Sequence, residues 1–203
     1  MTETTTAGSG VATIRLCGGH PVLDLANTVS WRLDPQQRHD HLRTYADLVT
    51  WAERAGVVSG PEASRLTAAD GSPAQRRTLD RALALREAVH GVLDGGPGTP
   101  RQQKTIAAAY GQAVNASRLS PGDKGWVWAE REPTSLTPVH RMAIAAVDLM
   151  TSGEAAAVKR CADDSCGWLF LDRSRQHNRR WCSSADCGNR NRVRRHYQRH
   201  RDA

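Results

Sequence analysis

The sequence has little that would place the protein in a membrane or in an oxidising compartment. No apolar run approaches the length of about eighteen residues that a membrane-spanning helix requires. Residues 1–10 are rich in Thr and Gly and lack the basic and apolar blocks of a signal peptide. We therefore expect a soluble, cytoplasmic protein without a membrane partner, in a compartment where disulfides are rare.

Lysine is also scarce, with 3 Lys against 25 Arg in 203 residues. The arginines are unevenly placed along the chain. Residues 1–172 carry 18 basic and 19 acidic side chains, a balance of −1, whereas residues 173–203 carry 10 and 2, a balance of +8. Because the final segment supplies the whole net charge of +7, the pattern favours a polyanion as its partner.

Only five cysteines are present, and four of them cluster near the carboxyl end. Four residues separate Cys161 from Cys166, four separate Cys182 from Cys187, and fifteen lie between the pairs. This spacing is typical of a zinc ribbon or treble clef, because zinc takes four thiolates tetrahedrally and a turn can present two of them. We predict one structural Zn²⁺ held by these four residues, with four buried metal-free cysteines as the alternative. His177, five residues before Cys182, could replace one thiolate, but we interpret it as a turn or contact residue.

The segment between the cysteine pairs should bring them together. Residues 168–171 predict a strand, residues 172–178 a polar turn and residues 180–181 a returning strand, so the pattern indicates a hairpin. Gly167 and Gly188 each follow the second cysteine of a pair, where a tight, left-handed backbone is expected. Because so small a core gains its folding energy from the metal, chelation should unfold this module first.

An arginine-rich helix is predicted from Asn189 to His200, a stretch without proline or glycine. Val193 and Tyr197 lie four residues apart and should seat the helix on the zinc module. Guanidinium groups bind phosphate and guanine edges, so DNA is the preferred partner, ahead of RNA, an acidic protein or an anionic lipid. The predicted nucleic-acid-binding residues are the arginines of the hairpin and the helix: Arg173, Arg175, Arg179, Arg180, Arg190, Arg192, Arg194, Arg195, Arg199 and Arg201.

The remainder of the chain predicts a mainly helical domain. Apolar residues recur at helical spacing in four segments: 42–52, 73–93, 100–114 and 137–150. Residues 11–16 and 126–128 predict short strands, the latter in a hairpin with residues just upstream. The fold class is therefore α+β, in three parts: a disordered start (1–10), a mainly helical domain with a few short strands (11–155) and a zinc module ending in a basic helix (156–203).

Several short motifs stand together in the zinc module: Cys161 to Cys166, Trp168-Leu169-Phe170-Leu171-Asp172, Ser174-Arg175, Arg180-Trp181-Cys182-Ser183 and Cys187-Gly188-Asn189-Arg190. They resemble the CGNR zinc finger, which is named after the last four letters. Upstream, Gly18-Gly19-His20-Pro21, Leu23-Asp24, Asn27-Thr28, Tyr45, Leu48 and Trp51 resemble that family's companion domain, called ABATE. The resemblance covers nearly the whole chain and implies a bacterial stress-induced transcription regulator with an α+β domain and a DNA-binding zinc module.

The larger domain carries candidate ligand-binding residues. His20, Asp24, Asn27 and Trp31 are polar or amphipathic groups interleaved with an apolar run, which suggests a pocket for a small-molecule effector. The alternative for these residues is turn chemistry and helix capping. No catalytic residue is predicted and no enzyme is expected, because Cys17, although close to His20 and Asp24, has neither a strained elbow nor an oxyanion-hole motif.

The function predicted from the sequence is a zinc-dependent DNA-binding transcription regulator, nucleoid-associated when bound to DNA. Its larger domain would sense a ligand or form a homodimer. The alternative is an interaction adaptor whose basic zinc module docks an acidic protein or RNA. Salt-sensitive binding to duplex DNA would separate the two functions.

Overall fold

The described part of the chain covers residues 10–68, 71–123 and 125–201 of a computed structural model. Residues 1–9, most of the predicted disordered start, lie outside it. The described residues are 52% helical. The helices are α1 (Pro21–Ala26), α2 (Tyr45–Arg54), α3 (Gly60–Thr67), α4 (Pro73–Leu93), α5 (Pro100–Asn115), α6 (Thr137–Thr151) and α7 (Asn189–Arg201). In the described residues, no helix combines the length and apolar character that crossing a bilayer requires.

Three antiparallel pairs of short strands accompany the helices. They are β1 (Val29–Ser30) with β2 (His39–Asp40), β3 (Ser117–Gly122) with β4 (Gly125–Glu130), and β5 (Val158–Arg160) with β6 (Leu169–Leu171). The α+β prediction, with a mainly helical domain and a C-terminal cysteine module ending in a helix, is confirmed.

The helices begin where the sequence supplies caps. Ser72 and Thr99 each form a capping box with the side chain three residues later, and a proline at the first helical position follows both. The helices predicted in 73–93, 100–114 and 137–150 are confirmed, and so is the one in 42–52, which starts at Tyr45. The sequence analysis missed α3, although Ser59 and Glu62 form a capping box at its start as well.

The core lies around α4, which packs against α1, α2, α5 and α6. Trp51 of α2 is fully buried there, as are the neighbouring aliphatic side chains of several helices: Leu23, Leu25, Leu48, Val49, Leu85, Ala143, Ala146 and Leu149. Burial of this apolar surface supplies most of the folding free energy. Leu169 and Leu171 of β6 join the same core, so the zinc module contributes two of its side chains.

Two strand predictions were wrong. Residues 11–16 form no strand; Thr13 N and Ile14 N donate to the Gly10 carbonyl in a turn. Residues 180–181 do not pair with residues 168–171, because both edges of β6 are already occupied. One edge pairs with β5, which precedes the first cysteine, and the other faces the larger domain, where Leu171 N donates to Gly18 O at 2.8 Å. The hairpin predicted at 126–128 is confirmed as β3–β4.

Candidate zinc centre and basic surface

The four predicted ligands meet at one point. The Sγ atoms of Cys161, Cys166, Cys182 and Cys187 all lie within 4.8 Å of one another, and the four side chains are buried. The Sγ atom of Cys182 lies 3.7 Å from that of Cys166 and 3.6 Å from that of Cys187. A tetrahedral zinc with bonds of about 2.3 Å sets its sulfurs about 3.8 Å apart. The cluster therefore fits one structural zinc, as predicted.

The first cysteine pair is held by an aspartate turn. The carboxylate of Asp163, which is fully buried, accepts hydrogen bonds from Ser165 N at 3.2 Å and Ser165 Oγ at 2.8 Å. Cys166 N donates to the Asp163 carbonyl at 3.1 Å. Gly167 then takes φ +70°, and a Cβ there would lie 3.0 Å from side-chain atoms of the larger domain. Glycine is therefore required at this position, as predicted.

The second cysteine pair leads directly into the basic helix. Ser183 Oγ accepts from Asp186 N at 3.2 Å, and Gly188 N donates to the Ser183 carbonyl at 3.0 Å. Residues Ser184–Gly188 form a wide helical turn that continues as α7, so Cys187 sits at the entrance of that helix. The left-handed conformation expected at Gly188 was wrong, because this turn takes the chain into α7 with ordinary helical backbone.

The electrostatics of the thiols call for a cation. Hydrogen bonds from neighbouring thiols lower the pKa of Cys161 below its ordinary value, whereas the Cys161 thiolate raises the pKa of Cys166 and of Cys182. Four crowded thiols can ionise only in part without a positive charge between them. Zn²⁺ supplies that charge and deprotonates all four. Arg190 adds a second positive group, since its Nη2 donates to Cys187 Sγ at 3.0 Å.

A buried aspartate organises the segment between the pairs. Asp172 Oδ2 accepts from Lys159 Nζ at 2.7 Å and from Arg179 N at 3.0 Å, and its Oδ1 accepts from Ser174 N at 3.1 Å. Burial alone would raise the pKa of Asp172, but the hydrogen bonds from Lys159 and Ser174 hold it well below its usual range. His177 occupies the following turn with φ +46° and contacts the Asp172 carbonyl through Nδ1. Its assignment to a turn is confirmed.

The zinc module is bound to the larger domain by hydrogen bonds at buried atoms. Asn27, which is 1% exposed, uses its amide twice on one residue: Leu169 N donates to Oδ1, and Nδ2 donates to Leu169 O, both at 2.8 Å. Trp168 Nε1 donates to Val29 O at 2.8 Å, and His90 Nε2 lies 2.8 Å from Gly167 O. Asn27 thus acts as a surrogate strand neighbour for β6.

The four candidate ligand-binding residues are engaged within the fold. His20 Nδ1 caps α1 by accepting from Val22 N at 3.2 Å, and Asp24 Oδ1 accepts from Gly18 N at 2.8 Å. Asn27 holds β6, as described above. Trp31 has φ +53°, its ring lies 4.3 Å from the Arg190 guanidinium, and it borders a cavity of about 330 Å³ beside the zinc cysteines. His20 and Asp24 thus perform capping and turn chemistry and Asn27 bridges to β6, whereas ligand binding by all four residues stays a prediction.

Asp24 gives the protein a testable pH dependence. Burial raises the pKa of Asp24 from 3.8 to about 6, despite hydrogen bonds from the backbone of Gly18 and Cys17. Below about pH 3.8 both folded and unfolded chains hold the proton, so ionisation costs nothing. Between about pH 3.8 and pH 6 the unfolded chain releases this proton more readily than the folded chain does. The free energy of unfolding therefore falls over this range, by up to about 3 kcal/mol. We expect Asp24→Asn to become progressively more stable than the wild type between these two values.

Urea unfolding of both proteins at several pH values between about 4 and 7 measures this difference. The exposed Asp80→Asn makes the same change of net charge and is the control. If the difference in free energy of unfolding between Asp24→Asn and the wild type did not grow with pH, the raised pKa of Asp24 would be contradicted.

Four of the ten predicted arginines contact other groups of the protein. Arg173 pairs with Glu154 at 2.7 Å, Arg190 with Asp163 at 3.3 Å and Arg194 with Asp164 at 3.3 Å. Arg179 stacks on the Phe170 ring at 4.2 Å and donates to the carbonyls of Cys17 and Cys182. Arg179 and Arg190 are half-buried in these contacts, whereas Arg173 and Arg194 form exposed ion pairs; none of the contacts was expected from the sequence. The acidic Asp163-Asp164 pair opposite two arginines four residues apart was the signal that could have revealed two of them.

The other six predicted arginines are exposed and form no ion pair with any described carboxylate. We call this set the basic surface: Arg175, Arg180, Arg192, Arg195, Arg199 and Arg201. Arg180 lies over the Trp181 ring at 5.1 Å. No described residue of α7 is buried, and Val193 and Tyr197 are 46% and 67% exposed, so their predicted seating role was wrong. Charged contacts of Arg190 and Arg194 anchor the helix instead.

Two family models match this chain. Residues 19–153 match the ABATE model, described as "Putative stress-induced transcription regulator", and residues 157–200 match the CGNR zinc finger model. No curated protein matches it. Both resemblances predicted from the sequence are confirmed, and the second match contains all four cysteines of the zinc centre.

Proposed function

Because the chain belongs to the ABATE family and carries a CGNR zinc finger, we propose that it is a zinc-dependent transcription regulator that binds duplex DNA through the basic surface. One observation carries this proposal. Six exposed arginines without described carboxylate partners lie on a module that a buried four-cysteine cluster fixes in place. Unpaired guanidinium groups on a rigid support are suited to phosphate contacts and to guanine edges.

The arrangement of α7 supports a double-stranded partner. The helix has 13 residues and is about 20 Å long. With its side chains an α-helix is about 10–12 Å across, which fits the major groove, about 12 Å wide. Arg190 and Arg194 lie on the face that contacts the zinc module. At 3.6 residues per turn, Arg192, Arg195 and Arg199 lie together on the opposite face. The helix can therefore present three arginines to DNA while remaining attached to its support.

Removing these three arginines tests which face binds. We expect the triple variant Arg192→Ala, Arg195→Ala and Arg199→Ala to weaken duplex binding and to lower the slope of log affinity against log salt by about 2.7, which is about 0.9 per lost phosphate contact. Fluorescence anisotropy over a salt series measures both quantities. The matched control replaces Arg76, Arg77 and Arg81 with alanine, because these exposed α4 arginines carry the same charge away from the module. An equal loss of DNA affinity in both triple variants would show that the loss comes from net charge and not from the position of the arginines.

Lysine variants distinguish positioning from sequence reading. Changing the same three α7 arginines to lysine keeps the charge but removes the bidentate guanidinium fork. We expect the salt slope to remain and the preference among sequences to fall. A preserved preference would place base recognition elsewhere in the module.

The direct test of the function uses the whole protein. Genomic duplex fragments retained by the zinc-loaded protein at two salt concentrations are sequenced, with and without a chelator. Zinc-dependent retention of a recurrent sequence supports the regulator. No retention at low salt would overturn the DNA proposal and leave the adaptor that docks an acidic protein or RNA.

We assign the larger domain a presenting role without catalysis. The contacts of Asn27, His90 and Val29 with residues 167–169 tie it to the zinc module, so a ligand that displaced α1 or β1 would also disturb the module. Such an effector would bind more tightly to one of two arrangements, with the module in place or displaced. It would change the affinity for DNA because it shifts the population between them. Titration of candidate effectors against DNA affinity tests this role.

A further inference from the structure

The β3–β4 hairpin exposes large apolar side chains. Leu119, Trp126, Val127 and Trp128 are 54%, 70%, 49% and 39% exposed. They account for four of the seven exposed large hydrophobic residues in the described part of the chain. Leu119, Trp126 and Trp128 share one face of the hairpin, whereas Val127 lies on the other face. The three residues on the shared face offer on the order of 400 Å² of accessible surface, a patch size that on a monomer is often functional.

One edge of this hairpin is open to a further strand. Arg131 N donates to Ala116 O at 3.3 Å, which makes residues 116 and 131 a hydrogen-bonded pair at the base of the ladder. By antiparallel alternation, the pairs Leu119–Trp128 and Pro121–Trp126 are not hydrogen-bonded. The backbone N–H and C=O groups of Trp126 and Trp128 therefore face outward from β4. The outer edge of β3 has no N–H donor at Pro121, so a further strand is less able to pair with this edge.

The sequence of β4 is complementary to itself. It reads Gly-Trp-Val-Trp-Ala around Val127, and the flanking residues on the two sides of Val127 match in size and type. Antiparallel pairing of two such strands about Val127 sets Trp126 opposite the Trp128 position of the other copy. The backbone N–H and C=O groups of both tryptophans face the partner strand, so each Trp–Trp pair would exchange two backbone hydrogen bonds. Cross-strand aromatic pairs also stabilise a sheet by packing.

We propose that β4 pairs antiparallel with β4 of a second copy of this chain, forming a four-stranded sheet across a two-fold axis at Val127. A two-fold contact requires a self-complementary surface, which this strand supplies. Because Pro121 blunts the other edge, the assembly closes at two copies instead of growing into a fibre. Edge pairing of two such short strands buries less than the roughly 1,200 Å² of a standard stable interface, so we expect a weak dimer that dissociates in the micromolar range. This inference does not depend on DNA binding.

Cross-linking tests the register. Val127→Cys is made in a Cys17→Ser background, with zinc holding the other four thiols. Facing residues of a non-hydrogen-bonded pair lie about 4.5 Å apart at Cα, within disulfide reach. We expect a covalent dimer on mild oxidation. Ser120→Cys is the matched control, because Ser120 pairs with Val127 inside the hairpin but lies on the blunted strand. Equal cross-linking of both variants, or none at Val127, would overturn the pairing.

Sedimentation equilibrium without DNA tests the same surface independently. We expect a wild-type monomer–dimer equilibrium, and Trp126→Thr should raise the dissociation constant more than about tenfold. Tyr197→Gln removes a side chain of similar exposure from α7 and should leave the constant unchanged. A wild-type protein that remains monomeric at about 100 μM would overturn the proposal. Since no DNA is present, either result leaves the proposed DNA binding untouched.

Discussion

Replacing Cys182 with alanine will abolish zinc binding and unfold the zinc module. Its sulfur lies 3.7 Å and 3.6 Å from two other ligands, so its loss opens the tetrahedral site. Zinc contributes an apparent free energy of about 10–16 kcal/mol in small four-ligand modules. We expect zinc content to fall from one per chain to none, and duplex-DNA affinity to fall by about 1,000-fold or more, to the non-specific level. Metal analysis and a binding titration measure these two effects.

Cys17→Ala is the matched control for this variant. Cys17 packs against the cysteine cluster but is not one of the four residues whose Sγ atoms converge. It should keep one zinc per chain and nearly all DNA affinity. One zinc retained by Cys182→Ala would contradict the four-cysteine site, and full DNA affinity in its absence would contradict a zinc-dependent DNA-binding surface.

Asn27→Ala should lower the free energy of unfolding by about 2–5 kcal/mol, because it leaves the N–H and C=O of Leu169 buried without partners. Zinc content should remain at one per chain, since Asn27 touches no ligand sulfur. Urea unfolding followed by circular dichroism measures the change. Asn178→Ala removes an exposed amide that bonds only to Gln176 and should change the free energy of unfolding by less than about 0.5 kcal/mol. A similarly small change for Asn27→Ala would contradict its bridging role.

Local signals in the sequence were sufficient for much of the fold. Capping boxes at Ser72 and Thr99, each with a following proline, mark helix starts through contacts only three residues apart. The zinc ligands could be predicted equally well, because the spacing within each cysteine pair allows one turn to present two thiolates to a metal. These features require no knowledge of distant parts of the chain.

The pairing of β6 could not be predicted in the same way. Its apolar residues 169–171 indicate a buried strand, but nothing local says that Asn27, 142 residues away, occupies one edge. Residues 180–181, which follow β6 in the chain, were therefore chosen wrongly as its partner. The prediction that Val193 and Tyr197 seat the helix on the zinc module was wrong for a related reason. Helical spacing predicts that they share a face but not whether another element covers that face.

The ten arginines illustrate the limit of charge counting. The sequence places them all in one basic segment, but in the structure Arg173, Arg190 and Arg194 pair with carboxylates and Arg179 stacks on Phe170. A charge total does not distinguish a guanidinium that holds a carboxylate from one that is available to a ligand. The distinction follows from partners such as Asp163 and Asp164, which lie about thirty residues away.

The position of β6 has a consequence for folding during synthesis. Leu169 and Leu171 are 0% and 2% exposed in the core formed by α1, α2, α4 and α6, yet they follow all four of these helices in the chain. A nascent chain that ends before them would carry a core with an open side, so we expect the larger domain to complete its core only after residues 169–171 have emerged. Completion waits for residues 161–187 to emerge and acquire their metal. A copy that lacks zinc would then remain open to proteases, and the amount of regulator in the cell would follow the zinc supply.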